Sequence, residues 1–157
     1  MRRGWLAFHT PMLWTIGCIV VLGIGGSSGF IIANARADRV LQDSYFVAAY
    51  LHYLLWLAAV FGFFAGWYYL FPKLTGFAYS DLLGRIHFGM SFIGVSIMLA
   101  PHIFIVPWMV QPTAYAPDAL DHWNLVSWIG SCIFAAGSLV FFINMALSLL
   151  RRQPASP

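Results

Sequence analysis

Five histidines and two cysteines are the residues with the most chemistry to offer, and their positions sort them. His9, His87, His102 and His122 each stand near the end of an uncharged stretch, where a structural or interfacial role is the plainer reading. His52 is different: it lies eight residues into a stretch that starts at Ser44, roughly 12 Å along a helix rising about 1.5 Å per residue. An ionisable side chain at such depth in apolar sequence is costly and normally faces protein or a cofactor. Two readings of His52 stay open on the residue alone, an imidazole serving as ligand or relay and a hydrogen-bonded core histidine. Cys18 and Cys132 sit in apolar runs with no Cys-x-x-Cys or Cys/His metal spacing, and read as small buried hydrophobes. No Asp, Glu or Lys falls deep inside an apolar stretch, so the chain offers no evident proton relay of its own.

The elements that must carry His52 follow from the long uncharged stretches. A hydrocarbon core of roughly 30 Å needs about 20 helical residues. Four stretches meet that length, at residues 11–34, 44–71, 80–106 and 122–150, followed by a polar tail at 151–157. Asp81, Arg85 and His87 interrupt the third near its start and read as an interfacial first turn, with the span proper from Phe88. The Arg2-Arg3 start leads into the first stretch without a small-residue cleavage site, so no cleaved leader is expected. The expected fold is all-α, a single membrane domain of four transmembrane helices.

Composition agrees. Hydrophobic residues make up 61% of the 157, aromatic residues 18% and charged residues 8%, which excludes a soluble globular enzyme because a water-facing surface demands more charge. The net charge of +3 comes with no basic run longer than two residues, so nucleic-acid binding has no electrostatic footprint. Lys and Arg are retained on the cytoplasmic side during insertion. Arg2, Arg3, Lys73, Arg85, Arg151 and Arg152 share the side of the termini, against Arg36 and Arg39 on the other. Both termini are therefore expected in the cytoplasm, and the loops at 35–43 and 107–121 in the periplasm of a bacterial-type inner membrane. Gly17, Gly23, Gly25, Gly26 and Gly29 suit the first span to close helix packing, while the second is dense in aromatic rings that suit membrane interfaces and lipid contact.

The segment from Leu41 to Tyr53, Leu-Gln-Asp-Ser-Tyr-Phe-Val-Ala-Ala-Tyr-Leu-His-Tyr, resembles the haem-ligating segment of subunit I of the haem-copper terminal oxidases. That family pattern reads His-Asp-Thr-Tyr-Tyr-Val-Val-Ala-His-Phe-His-Tyr. The likeness continues through Thr10-Pro11-Met12-Leu13-Trp14, Val60-Phe61-Gly62, Phe71-Pro72-Lys73-Leu74-Thr75-Gly76, Ile86-His87-Phe88, Phe92-Ile93-Gly94-Val95 and Trp123-Asn124-Leu125-Val126-Ser127. It covers nearly the whole chain and implies that the four spans correspond to the last four of the family's twelve, with the cytochrome c oxidase type the nearest branch.

The resemblance assigns roles residue by residue. His52 matches the axial ligand of the low-spin, electron-transfer haem, and Asp43 and Tyr45 match polar positions at the haem edge or outer side. Tyr50 stands where the family has the histidine of the high-spin haem. A phenolate can ligate haem iron, but it makes a weakly oxidising centre. The substitution is read as loss of that haem. Gln42 replaces an outer-side metal-binding histidine, Gln111-Pro112 replaces the Arg-Arg pair that holds propionates, and His102 stands one place early in the family's Pro-Gln-His-Phe. Copper ligands and the second axial histidine belong to family helices outside this chain. What the resemblance implies is a subunit, not catalytic alone, that binds no copper and shares a low-spin haem with another membrane chain supplying the missing helices and the second histidine. Lipid is its other expected partner. The alternatives are the C-terminal piece of a split working oxidase and a haem-free structural or assembly module.

Overall fold

The computed structural model describes residues 9–32, 45–105 and 117–154, with side chains at 9–23, 54–98 and 122–154. Its regular structure among the described residues is helical throughout: α1 at Thr10–Ile32, α2 at Tyr45–Thr75, α3 at Asp81–Ile105 and α4 at Pro117–Arg151. The stretches over Leu54–Thr75 and His122–Arg151 are long and apolar enough to cross a membrane. α2 runs past the uncharged stretch read from sequence and takes in Pro72 and Lys73. Proline removes a donor and crowds the preceding turn, yet here only the last three residues of the helix follow it. α2 ends at Gly76, whose φ of +72° is a left-handed conformation that glycine adopts without steric cost.

The chain forms two compact units, Met1–Arg85 with Asn144–Pro157, and Ile86–Ile143. In the first, α1 lies along α2 in the opposite direction. Trp14 of α1 is fully buried and meets Phe61, Phe64 and Tyr68 of α2, with ring centroids 5.0, 4.8 and 6.5 Å away. One turn further along α1, Cys18 donates its thiol to the Ala58 carbonyl at 3.4 Å. Lipid is as apolar as these side chains, so it is close packing and ring geometry that hold such helices together.

The same unit has a polar end. Thr10 begins α1 and gives both its backbone N–H (3.0 Å) and its hydroxyl (2.7 Å) to the Asp81 carboxylate, which also pairs with Arg85 at 2.6 Å. Thr10 fits there because Gly84 has no side chain: a Cβ would fall 2.5 Å from the threonine hydroxyl oxygen. Beyond α4 the chain returns to the α2–α3 connection, with an antiparallel bridge between Phe77 and Pro154 and a hydrogen bond from Ala78 N–H to the Gln153 carbonyl at 2.9 Å.

In the second unit α3 and α4 cross almost backbone to backbone. A Cβ on Gly94 would lie 2.7 Å from the Phe134 nitrogen, and one on Gly130 would lie 2.6 Å from the Gly94 oxygen. Of the glycines of the first span, Gly17 is buried and a Cβ on Gly23 meets nothing within 4 Å, while the surroundings of Gly25, Gly26 and Gly29 lie outside those described. His87, read from sequence as interfacial, is fully buried in this unit with its ring 5.3 Å from that of Phe141.

Candidate functional site

α2 carries positions 50 and 52, which the sequence resemblance singles out, and its continuous helix from Tyr45 to Thr75 fixes their register. Successive residues turn by about 100°, so positions 50 and 52 differ by about 200° and fall on nearly opposite faces. Eighteen residues make five full turns. Position 50 is thus in line with Tyr68, eighteen residues on, and within about 20° of Leu57 and Phe61. All three are buried, Phe61 and Tyr68 completely, and this is the face against which Trp14 of α1 packs.

Position 52 is in line with Leu70 by the same count and within about 20° of Phe63, with Trp56 one turn along. These are exposed, Trp56 to 65%, Phe63 to 58% and Leu70 to 47%. Phe63 and Leu70 line an apolar groove of about 570 Å³ that reaches Leu149 of α4. Among the described side chains of α2, Leu57, Phe61 and Tyr68 are therefore buried on the side of α1, while Trp56, Phe63 and Leu70 are exposed.

The sequence-predicted residues are placed unevenly. His52, Tyr50 and Tyr45 lie in α2, Tyr45 as its first residue, but their side chains are outside those described. Asp43, Gln42, Gln111 and Pro112 lie outside the described residues. His102 falls within α3, again with its side chain outside those described. His9 precedes α1 and His122 lies on α4, both exposed. Among the described residues no three His, Cys, Asp or Glu side chains converge on one point. Cys132 is exposed and Cys18 partly so, which corrects their reading as buried hydrophobes.

Sequence reasoning missed the polar cluster that ties the ends of α1, α3 and α4. Burial pushes the Asp81 carboxyl up, but the two hydrogen bonds from Thr10 and the charge of Arg85 outweigh it and hold Asp81 below the usual carboxylate value. Tyr79 is pushed up to about 12 by burial and by the nearby Asp81 charge. The signal lay in the residue types: Ser80 ahead of Asp81 is a helix start, with its hydroxyl accepting from Leu83 N–H at 3.4 Å.

Residues 1–133 match the family described as Cytochrome C and Quinol oxidase polypeptide I. Cytochrome c oxidase subunit 1 of Cereibacter sphaeroides is 36% identical over 154 residues, covering 97% of this chain and 27% of the relative. Cytochrome c oxidase subunit 1 of Yarrowia lipolytica is 38% identical over 139 residues, covering 88% of this chain and 26% of the relative. The Heme-copper oxidase subunit I+III of Aeropyrum pernix is 33% identical over 160 residues, covering 100% of this chain and 19% of the relative. The chain spans about a quarter of the length of the two subunit 1 proteins it matches.

Proposed function

The chain belongs to the Cytochrome C and Quinol oxidase polypeptide I family, and on that premise we propose that it is a membrane subunit of a terminal-oxidase-like electron-transfer complex. In this reading His52 is one axial ligand of a low-spin haem and the second imidazole comes from a partner chain. Asp43 and Tyr45 make polar contacts at the haem edge, and no high-spin haem is held at Tyr50. Bound haem would supply one-electron transfer, its potential set by its axial ligands and surroundings. The chain's own part is to orient one ligand and wall one side of the group with apolar side chains. It contributes no copper ligand and is not catalytic by itself.

The observation that carries this reading is the division of α2 into a sealed and an open face. Position 50 lines up with Leu57, Phe61 and Tyr68, buried under α1, whereas position 52 lines up with exposed Phe63 and Leu70. Losing a ligand at 50 thus costs the open face nothing. A membrane bundle of four spans is part of the proposal: α1 and α3, at 23 and 25 residues, also exceed the roughly 20 needed to cross. With both termini in the cytoplasm of a bacterial-type inner membrane, the partners are other membrane subunits and lipid.

A second reading is supported by the lengths. The chain aligns over 97% of itself but 27% of the Cereibacter sphaeroides protein, as a C-terminal piece of a working split oxidase would. Tyr50 weighs against it, since oxygen reduction needs that haem to be held and the family segment that this one resembles has a histidine at this position. The test is purification of the chain with whatever membrane subunits accompany it, followed by reduced-minus-oxidised spectra. The proposal expects a six-coordinate low-spin haem that disappears in His52→Ala while the subunits remain together. A complex without haem bands would leave the haem-free assembly module in its place.

A further inference from the structure

α2 and α4 end in the same way. Gly76, just beyond α2, has a φ of +72° and donates its N–H to the Pro72 carbonyl at 2.9 Å. Arg152, just beyond α4, has a φ of +46° and donates its N–H to the Ser148 carbonyl at 3.1 Å. Both are the left-handed cap that turns a chain out of a helix, a conformation that glycine adopts freely and that crowds the Cβ of any other residue. Arg152 is the one non-glycine residue among those described with a positive φ. The two caps aim the residues after them at each other: Phe77 bridges Pro154, and Ala78 N–H donates to the Gln153 carbonyl at 2.9 Å. The two paired segments are not held alike. Ser148 takes the Ala78 carbonyl at 2.7 Å and Asn144 takes both backbone groups of Ser80, so the α2–α3 connection is tied to α4 without the segment at 152–154, which is exposed throughout.

We propose that residues 152–154 are a conformational latch on the α2–α3 connection, with Arg152 as its strained hinge. Closed, the latch supplies the Gln153 carbonyl to Ala78. Open, Arg152 relaxes to a negative φ, the segment swings away and the Ala78 N–H is bared, while Asn144 and Ser148 keep the connection in place. A strained residue persists only where its surroundings hold it, and local opening starts where the holding contacts are fewest and most exposed. Both conditions point to the Arg152 side of the pair, because Gly76 carries no such strain. The connection runs on into Ser80 and Asp81, whose carboxylate accepts from Thr10 at the start of α1. The latch therefore gives the segment leading to that polar cluster a paired and an unpaired state without unfolding α2, α3 or α4. This inference stands on the geometry of these helix ends and needs no haem at His52.

The test is amide hydrogen exchange on the purified complex in mild detergent, read at single residues by fragmentation mass spectrometry. In the parent, Ala78 should exchange faster than Ser80, since the latch opens while Asn144 still holds Ser80. Arg152→Gly, which removes the strain, should slow exchange at Ala78 by about fivefold or more. Arg152→Ala removes the charge but keeps the Cβ, and should leave the Ala78 rate as in the parent. Removal of residues 152–157 should bring Ala78 close to the rate of an unprotected amide with Ser80 still protected; if that variant failed to fold, the two Arg152 substitutions would decide. Exchange of Ala78 and Ser80 at one common rate in the parent would overturn the proposal, as would no slowing in Arg152→Gly. An equal slowing in Arg152→Ala would also overturn it, since the charge and not the backbone strain would then set the opening. The haem spectrum should be the same in all of these variants, which separates this outcome from that of the haem proposal.

Discussion

Asn144 holds Ser80 by both of its backbone polar groups: the amide oxygen accepts from Ser80 N–H at 3.0 Å and the amide nitrogen donates to the Ser80 carbonyl at 3.0 Å. One turn on, Ser148 donates to the Ala78 carbonyl at 2.7 Å. Two fully or nearly buried polar side chains of α4 thus take the place of a strand partner for the α2–α3 connection. Asn144→Ala should destabilise the protein by about 1 to 3 kcal/mol, because both Ser80 groups lose their partner away from water. Thermal unfolding in detergent checks it, with Asn124→Ala, at an exposed position, as the neutral control.

The glycine crossing of α3 and α4 makes a contrast that sequence alone does not. Gly130→Ala places a methyl group 2.6 Å from backbone atoms that cannot move aside, so it should destabilise the protein by about 1 to 3 kcal/mol or more, read as a lowered unfolding temperature. Gly23→Ala meets nothing and should be tolerated or slightly stabilising, as a glycine inside a helix is costly. Equal effects of the two substitutions would contradict the packing described.

Asp81 should make stability depend on acid. Its carboxyl titrates below the unfolded value of roughly 3.9, so its contribution is fully present above that pH and is lost as pH falls through the lower folded value. Asp81→Asn should flatten the acid limb of stability against pH. It should also lower stability near neutrality, since the Arg85 ion pair goes with it.

The helices were legible in sequence to within a few residues at most of their ends, because runs of uncharged apolar residues at membrane-spanning length admit few other structures. The proposed haem ligand comes only from the resemblance around His52 and Tyr50; nothing in periodicity distinguishes the two. Which side of α2 meets α1 was not legible either, since it rests on Trp14, Phe61 and Tyr68 meeting across long sequence separation. Gly94 and Gly130, inconspicuous in sequence, are where α3 and α4 approach closely, which only their meeting across long sequence separation reveals.

Orientation gives a further prediction. With the native cysteines replaced, a cysteine at Ala37 should be labelled by a membrane-impermeant reagent only from the periplasmic side, and one near Arg152 only from the cytoplasmic side. The reverse pattern would overturn both the topology and the register carried over from the family.

The division of α2 into two faces is tested most directly by paired substitution, His52→Ala against Tyr50→Phe, with reduced spectra of the assembled complex taken with and without carbon monoxide. The account predicts that His52→Ala removes the six-coordinate haem, that Tyr50→Phe leaves it in place, and that no haem binds carbon monoxide in either the parent or Tyr50→Phe. A carbon-monoxide-binding haem that disappears in Tyr50→Phe would make Tyr50 a ligand, and would contradict it.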